Sequence, residues 1–402
     1  MDSLKKGVCA ARGFKAGAIQ AKIKASSTKD DVALIVSDVP CAAAAVYTSN
    51  LVKADCLHIT KEHLENGIAQ AIIVNSGNAN AAAPDGKATA LAQAKAGARA
   101  AGVALEDVIV SSTGVIGQRL PVEKIEAVID QIQISEQGSD AAAKAIMTTD
   151  TVMKEASVSF EINGTTCYLG GICKGSGMIH PNMGTMLCFI TTDAKIAQPL
   201  LQEALSKAVK VTFNRISVDG DTSTNDMCVV LANGLADNTP IEAKNEAWQT
   251  FYDALYEVMR SLAIQIASDG EGAGRLVSAK VIHAQSEQQA ENLAKSVITS
   301  NLVKAAMFGC DANVGRILCA MGYSGQPFEL DKVDVSYISK NGEILVCENG
   351  KGLAFDEDLA EYVLQPDAID ILIDLHDGTE EATCWGCDLT YEYVKINGDY
   401  RT

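Results

Sequence analysis

Residues 174–187, Lys174-Gly175-Ser176-Gly177-Met178-Ile179-His180-Pro181-Asn182-Met183-Gly184-Thr185-Met186-Leu187, constrain this chain more than any other stretch. The first half is glycine-rich and conformationally permissive. The second runs into Met186-Leu187-Cys188-Phe189-Ile190-Thr191-Thr192, an apolar, β-prone segment that reads as a buried strand. At the junction Gly184 precedes Thr185. A small residue before a hydroxyl residue at the mouth of a strand is the arrangement a self-cleaving chain needs. The hydroxyl reaches the preceding carbonyl only if the peptide is held bent, and glycine tolerates that strain. An N→O acyl shift followed by ester hydrolysis would leave Thr185 with a free α-amino group. With an unperturbed pKa of about 8, that amine can act as the base the hydroxyl requires. The plainer reading is a glycine loop feeding a core strand. On spacing alone the plainer reading is the stronger, because Gly-Thr pairs are common.

Composition narrows the function classes. The chain has 402 residues, enough for two domains or one large one, and 48% of them are hydrophobic, enough for a sizeable core. A formal net charge of -18 argues against nucleic acid and anionic membranes as partners. The opening Met1-Asp2-Ser3-Leu4-Lys5-Lys6 has no apolar segment, and no run reaches the length of a membrane span, so the expected location is the cytoplasm. Most of the 12 cysteines sit in apolar contexts and read as small buried hydrophobes. Cys384-Trp385-Gly386-Cys387 has redox or zinc spacing, but no second such pair accompanies it, so it reads as structural. His58, His63, His283 and His376 form no visible ligand set, and no metal site is expected. No phosphate-cradling glycine motif is present either.

Strands and helices intermix along the whole length, which argues for an α/β or α+β fold. Val32–Val36, Ala42–Tyr47, Ala71–Val74 and Val108–Val110 read as strands, and the alanine-rich run 88–101 as a helix. Ser157–Ile162, Asn163-Gly164 and Cys167–Leu169 form a hairpin signal with a type I′ turn, and Asn341-Gly342 marks a second. Helical periodicity predicts helices over about 198–213 and about 241–267. The C-terminal part reads as β-rich. Asn75-Ser76-Gly77-Asn78-Ala79-Asn80 follows a strand, and functional-loop and helix-capping readings have equal claim to it. Ser217–Asp226 is a polar loop before the strand 227–231.

The stretch 174–187 resembles, nearly residue for residue, the autocleavage site of the ornithine acetyltransferase family, K-G-S-G-M-I-x-P-N-M-A-T-M-L. Gly184 stands where alanine is usual, a change that leaves the carbonyl in place. Further similarities run from Gly13 to Thr402. The resemblance implies a layered α-β-β-α fold of the self-cleaving N-terminal-nucleophile type, with fragments 1–184 and 185–402 that stay associated and assemble as a heterotetramer or larger. It implies acetyl transfer from N2-acetyl-L-ornithine to L-glutamate through acetyl-Thr185, with no bound cofactor. A bifunctional member would also accept acetyl-CoA as co-substrate. Thr113-Gly114 resembles the family's oxyanion loop; on residues alone an ordinary strand-to-helix turn is the stronger reading. Lys174, Glu271, Thr148, Asn397 and Thr402 match the family's substrate-binding positions, with the register at Thr148-Thr149-Asp150-Thr151 the least distinct. Gly309–Arg316 resembles a further family motif, with Ala312 and Val314 in place of proline and tryptophan. Pocket shaping and helix capping by Asn313 are equally open there. His180 reads as a loop histidine. An N-terminal-nucleophile amidohydrolase or aminopeptidase, which would let water resolve the acyl-enzyme, is the competing class.

Overall fold

The computed structural model describes residues 7–25, 27–180 and 186–399. Gly184, Thr185 and Thr402 lie outside them. Two sheets carry the fold. The first contains β1 (Phe14–Ile19), β2 (Val32–Tyr47), β3 (Ile68–Asn75), β4 (Val108–Ser112), β5 (Lys154–Ile162), β6 (Thr165–Lys174), β7 (Leu187–Thr192) and β9 (Met227–Ala232). The second contains β8 (Ile216–Ser217), β10 (Leu276–Ala284), β11 (Asp334–Ser339), β12 (Gly342–Glu348), β13 (Lys351–Gly352), β14 (Ala368–Asp374) and β15 (Glu380–Cys387). In space the first runs β4-β3-β2-β9-β7-β6-β5 with β1 on β2, and the second β13-β12-β11-β14-β10-β15-β8. The mixed α/β class with two sheets agrees with the sequence.

Alternation explains why β7 and β9 read as unbroken apolar runs. Phe189, Val229 and Leu231 enter one core with Ile72, Ile109 and the helices that follow β2, β3 and β4. Cys188, Ile190, Cys228 and Val230 enter another, against the helices Gln198–Val211 and Glu246–Ser268. Strands buried on both faces show no polar alternation. A third core, around Val281, Leu293, Tyr337 and Ile371, belongs to the second sheet and its helices. Among the described residues no helix is long and apolar enough to cross a membrane.

Several expectations shift in detail. Residues 32–47 form one sixteen-residue strand rather than two, with the register against β3 slipping between Val36 and Cys41, around Pro40. Proline has no N–H for the ladder and is tolerated at such an irregularity. The Asn163-Gly164 turn has positive φ at both residues, 50° and 80°, as a type I′ turn requires. In the second hairpin Ser339 pairs with Gly342, so the turn is Lys340-Asn341 and falls one residue early. The long helix begins at Glu246 rather than near 241, because the Asn245 side chain caps it by accepting Trp248 N–H, and Ile241 is held in a bridge to Ile196. The last described element is a helix, Tyr391–Asp399, inside a region read as β-rich.

Candidate active site

A cavity of about 270 Å³ lies where loops from β4, β6 and β9 meet the last helix; Thr113, Gly114, Thr148, Lys174, Glu271 and Asn397 all line it. These are the candidate residues that the structure describes. Gly184, Thr185 and Thr402, the remaining three, lie outside the described residues.

Gly114 is a glycine for a structural reason. Its φ is 133°, and a Cβ there would stand 2.6 Å from the Gly77 carbonyl carbon and 2.7 Å from Asn78 N. The Asn75–Asn80 loop is therefore a wall against which the Thr113-Gly114 backbone is pressed. Asn75 holds that wall: its Oδ1 accepts Gly77 N–H and Asn78 N–H, and its Nδ2 donates to Ser112 Oγ at 2.8 Å and Gln93 Oε1 at 3.0 Å. The helix Gly86–Ala101 starts at Asp85 without a side-chain cap, while the Asn80 carbonyl accepts the Asp55 N–H that opens the helix Asp55–His63, so this loop meets a helix start as well as walling the Thr113-Gly114 backbone.

Three substrate-site candidates are tied together by a buried ion triad. Lys154, at the start of β5, donates to Asp150 Oδ1 at 2.7 Å and Asp269 Oδ2 at 2.6 Å. Asp150 in turn accepts Thr148 N–H at 3.0 Å and Gly175 N–H at 2.7 Å. It thereby fixes Thr148 and the residue after Lys174. Asp269 accepts Thr151 N–H, while its own carbonyl accepts Ser176 Oγ–H and the Ser176 carbonyl accepts Glu271 N–H at 2.9 Å. Burial would raise the Asp150 pKa, but Lys174 and Lys154 overcome it and hold the carboxyl well below the usual range. Burial likewise opposes the Lys154 charge, and Asp150 and Asp269 more than restore it.

At the far wall, Asn397 Nδ2 donates to Glu271 Oε2 at 2.8 Å. Gly177 faces the Glu271 carboxyl so closely that a side chain there would collide with it. The last helix reaches this position because Thr390 Oγ1 donates to the Gly272 carbonyl at 2.7 Å and Phe308 meets Tyr391 edge-on at 5.5 Å.

Sequence reasoning underrated the polar loop Ser217–Asp226. Asp219 accepts Met178 N–H at 2.6 Å and Ile179 N–H at 2.9 Å, holding Met178 at a φ of 55°. Asn225 lines the cavity and donates to the Ser112 and Ala79 carbonyls, tying this loop to the one before Thr113. Asp226 is buried and has an unpartnered Oδ2; burial pushes its pKa well above the carboxylate range despite Ser223 and Lys174. The available signal was the one used for Asn75–Asn80: dense Asp, Ser, Thr and Asn abutting a buried strand.

Other candidates lie elsewhere. His180 is half-buried with Nδ1 3.1 Å from Ser217 Oγ and does not line the cavity, as a loop histidine should not. Asn313 caps the helix Val314–Gly322 by accepting Arg316 N–H, which favours capping for that motif. Cys384 and Cys387 are both buried in β15, and burial pushes the Cys384 thiol up to about 12. His283 and His376, read as isolated, come together with Asp374 at the end of the second sheet. Their ligand-capable atoms lie within 4.8 Å of one another, but Asp374 and Asp334 already hold the imidazoles at 2.8 Å.

The ArgJ family model matches residues 15–402. "Arginine biosynthesis bifunctional protein ArgJ" of Caldanaerobacter subterraneus subsp. tengcongensis is 49% identical over 394 residues, covering 97% of each chain. The protein of the same description from Symbiobacterium thermophilum is 49% identical over 406 residues, covering 100% of each. Among solved structures, the arginine biosynthesis bifunctional protein argJ of Bacillus halodurans is 45% identical with a TM-score of 0.50, covering 53% of this chain and 98% of that one.

Proposed function

We propose that this chain, which belongs to the ArgJ family, cuts itself between Gly184 and Thr185. It then moves an acetyl group from N2-acetyl-L-ornithine to L-glutamate through an acetyl-Thr185 intermediate. The observation that carries the reading is the convergence of Thr113, Gly114, Thr148, Lys174, Glu271 and Asn397, from five separate stretches of sequence, on one cavity. The β6–β7 register adds support: Lys174 pairs with Leu187, the second residue after Thr185, and the Met186 carbonyl accepts Met227 N–H. The Bacillus halodurans chain, matched nearly whole by 53% of this one, has about the length a fragment would have.

The chemistry follows from the residue types. The Thr185 hydroxyl attacks the acetyl carbonyl while its α-amine takes the proton. Charge develops on the carbonyl oxygen, and Thr113 Oγ–H with Gly114 N–H are the donors for it. Lys174 receives the amino-acid carboxylate, and Glu271, steadied by Asn397, receives the ornithine side-chain ammonium. Ornithine leaves, and the amine of glutamate attacks the acetyl ester. Thr148 and Thr402 complete the binding set. In a bifunctional member acetyl-CoA charges the same threonine. The fragments 1–184 and 185–402 stay associated as a heterotetramer or larger, held in part by the β6–β7 ladder and the Asp150–Lys154–Asp269 triad, both of which span the cut.

Intact-mass spectrometry beside an N-acetylglutamate assay tests this. Wild type should give two fragments and transfer activity, and Thr185→Ala one unbroken chain with none. An active sample made only of uncut chain would sink the proposal.

A further inference from the structure

The cavity described above suits ornithine better than glutamate. Its far wall carries Glu271, which attracts an ammonium and repels a carboxylate, so an acidic acceptor needs its second negative end placed elsewhere. A smaller cavity of about 100 Å³ adjoins the first, and Thr148 and Thr149 line both. Its other walls include Lys24, Lys29, Ser27 and Gly77, the last being the backbone against which Gly114 is pressed.

Charge here runs against the character of the molecule. In a chain of formal net charge -18, two lysines against one carboxylate, Asp31, line one small cavity. Lys29 Nζ donates to the Met147 carbonyl at 2.7 Å, a neutral acceptor that leaves the ammonium charge in place. The charges acting on it are Asp150, Lys174, Asp31 and Lys24. Of the two carboxylates among these, Asp150 is paired with a lysine outside the recess, and Asp31 is turned to backbone N–H groups and keeps its charge. Asp150 holds Lys154, Thr148 N–H and Gly175 N–H. Asp31 accepts Ala21 N–H at 2.6 Å and Ile23 N–H at 2.7 Å. What remains is a recess in which two lysines outnumber one carboxylate, opening beside the larger cavity, with hydroxyls on its rim. Burial and the neighbouring lysines push the Lys29 ammonium down, a penalty that a bound anion would reverse.

We propose that the recess lined by Lys24 and Lys29 is an oxyanion subsite of the same active site, holding the anionic far end of a substrate whose reacting end lies in the larger cavity. This rests on the transferase reading above. The oxyanion is a carboxylate or phosphate oxygen, supplied by the side-chain carboxylate of the acidic acceptor or by a phosphate of an acyl-CoA donor. Lys29, which feels the field of Lys174, is the residue that selects for it. Ornithine and N2-acetylornithine carry only the α-carboxylate, which Lys174 receives in the larger cavity, and have no second anionic end for the recess.

The test is a three-substrate kinetic comparison of the cleaved full-length enzyme with Lys29→Gln, Lys24→Gln and Lys29→Arg. Acetyl exchange between acetylornithine and labelled ornithine reports the larger cavity without glutamate. Glutamate transfer and acetyl-CoA turnover report the recess. Lys29→Gln should raise KM for glutamate about ten-fold, the loss of one charge-assisted contact of ~1.4 kcal/mol, while KM for acetylornithine in exchange moves less than two-fold. Lys29→Arg should restore glutamate. A rise confined to acetyl-CoA would support the subsite with phosphate as its ligand. If neither KM rises, or if exchange is impaired as much as glutamate transfer, the subsite is overturned. Wild-type protein that neither cleaves nor exchanges would instead remove the transferase reading beneath it.

Discussion

Two clusters of opposite charge sit at strand ends in this molecule, and they differ chiefly in their access to water. Asp150, Lys154 and Asp269 lie beside the candidate-site cavity, with side chains 0%, 0% and 8% exposed. His283, His376, Asp374 and Asp334 lie at the end of the second sheet, and both imidazoles are about half exposed. Hydrogen-bond lengths are similar, 2.6–2.8 Å in the closest contacts of each. Burial makes the first cluster an obligate set: remove one member and its partners are left charged in a medium that does not solvate them. Water makes the second optional. The obligate set is the one whose backbone contacts fix Thr148, Gly175 beside Lys174, and, through Ser176, Glu271, so the geometry of the cavity wall is held where solvent cannot loosen it.

Breaking the buried cluster should give the largest effect. Lys154→Met leaves Asp150 and Asp269 unpaired and should destabilise the protein by about 3–5 kcal/mol. The pH window follows from the shifts. Asp150 is depressed, so its contribution is present above the unfolded carboxylate pKa of about 4 and is lost as pH falls through the lower folded value. Lys154 is raised, so its contribution is present below its unfolded pKa and is lost as pH rises through the higher folded value. The deficit in the variant should therefore be flat across neutral pH. Neutralising all three together, with Asp150→Asn and Asp269→Asn added, should recover much of the stability but not KM, because the N–H acceptors are weakened. Chemical denaturation of the three proteins and KM for acetylornithine check both halves. A triple variant with native KM would show that the triad serves stability alone.

Gly114→Ala comes next, and it sharpens the contrast by disturbing geometry without touching charge. A side chain at φ 133°, with the Gly77-Asn78 backbone 2.6–2.7 Å away, cannot be accommodated unless the two loops part. Transfer should fall about 100-fold, in line with losing one oxyanion donor, with stability reduced by only about 1–3 kcal/mol. Steady-state turnover and a melting curve separate the two. Near-native turnover would remove Gly114 from the transition-state machinery.

How much of this could be read from residues alone depended on whether the signal was local. The Asn163-Gly164 turn and the apolar run of β7 were legible because turn chemistry and burial act within a few residues. Helix 246–268 was legible in extent but not in its start, since the Asn245 cap is one side chain amid other polar ones. The site residues came from resemblance; their convergence was beyond residue patterns, because Asp150, Lys154 and Asp269 meet across more than a hundred residues. Asn225 was missed for the same reason, its partners being carbonyls at Ala79 and Ser112. The final helix escaped detection because Tyr391–Asp399 has no fully buried residue and therefore shows no strong apolar face.

The smallest effect belongs to the exposed cluster. Asp334 and Asp374 raise the His376 pKa through hydrogen bonding and charge, against a slight opposing cost of burial. A raised histidine contributes stability that is fully present below its unfolded pKa, about 6.5, and is lost as pH rises through the folded value. Because the ring is half exposed, screening discounts the gain to below about 1 kcal/mol. His376→Ala should therefore cost a few tenths of a kcal/mol at pH 5.5 and almost nothing at pH 8.5, with transfer activity unaltered at either. Denaturation midpoints at the two pH values measure it. A loss of several kcal/mol that persisted at pH 8.5 would mean that the imidazoles are structural in their neutral form, and the distinction between a solvent-tolerant cluster and a solvent-excluded one would no longer follow from exposure.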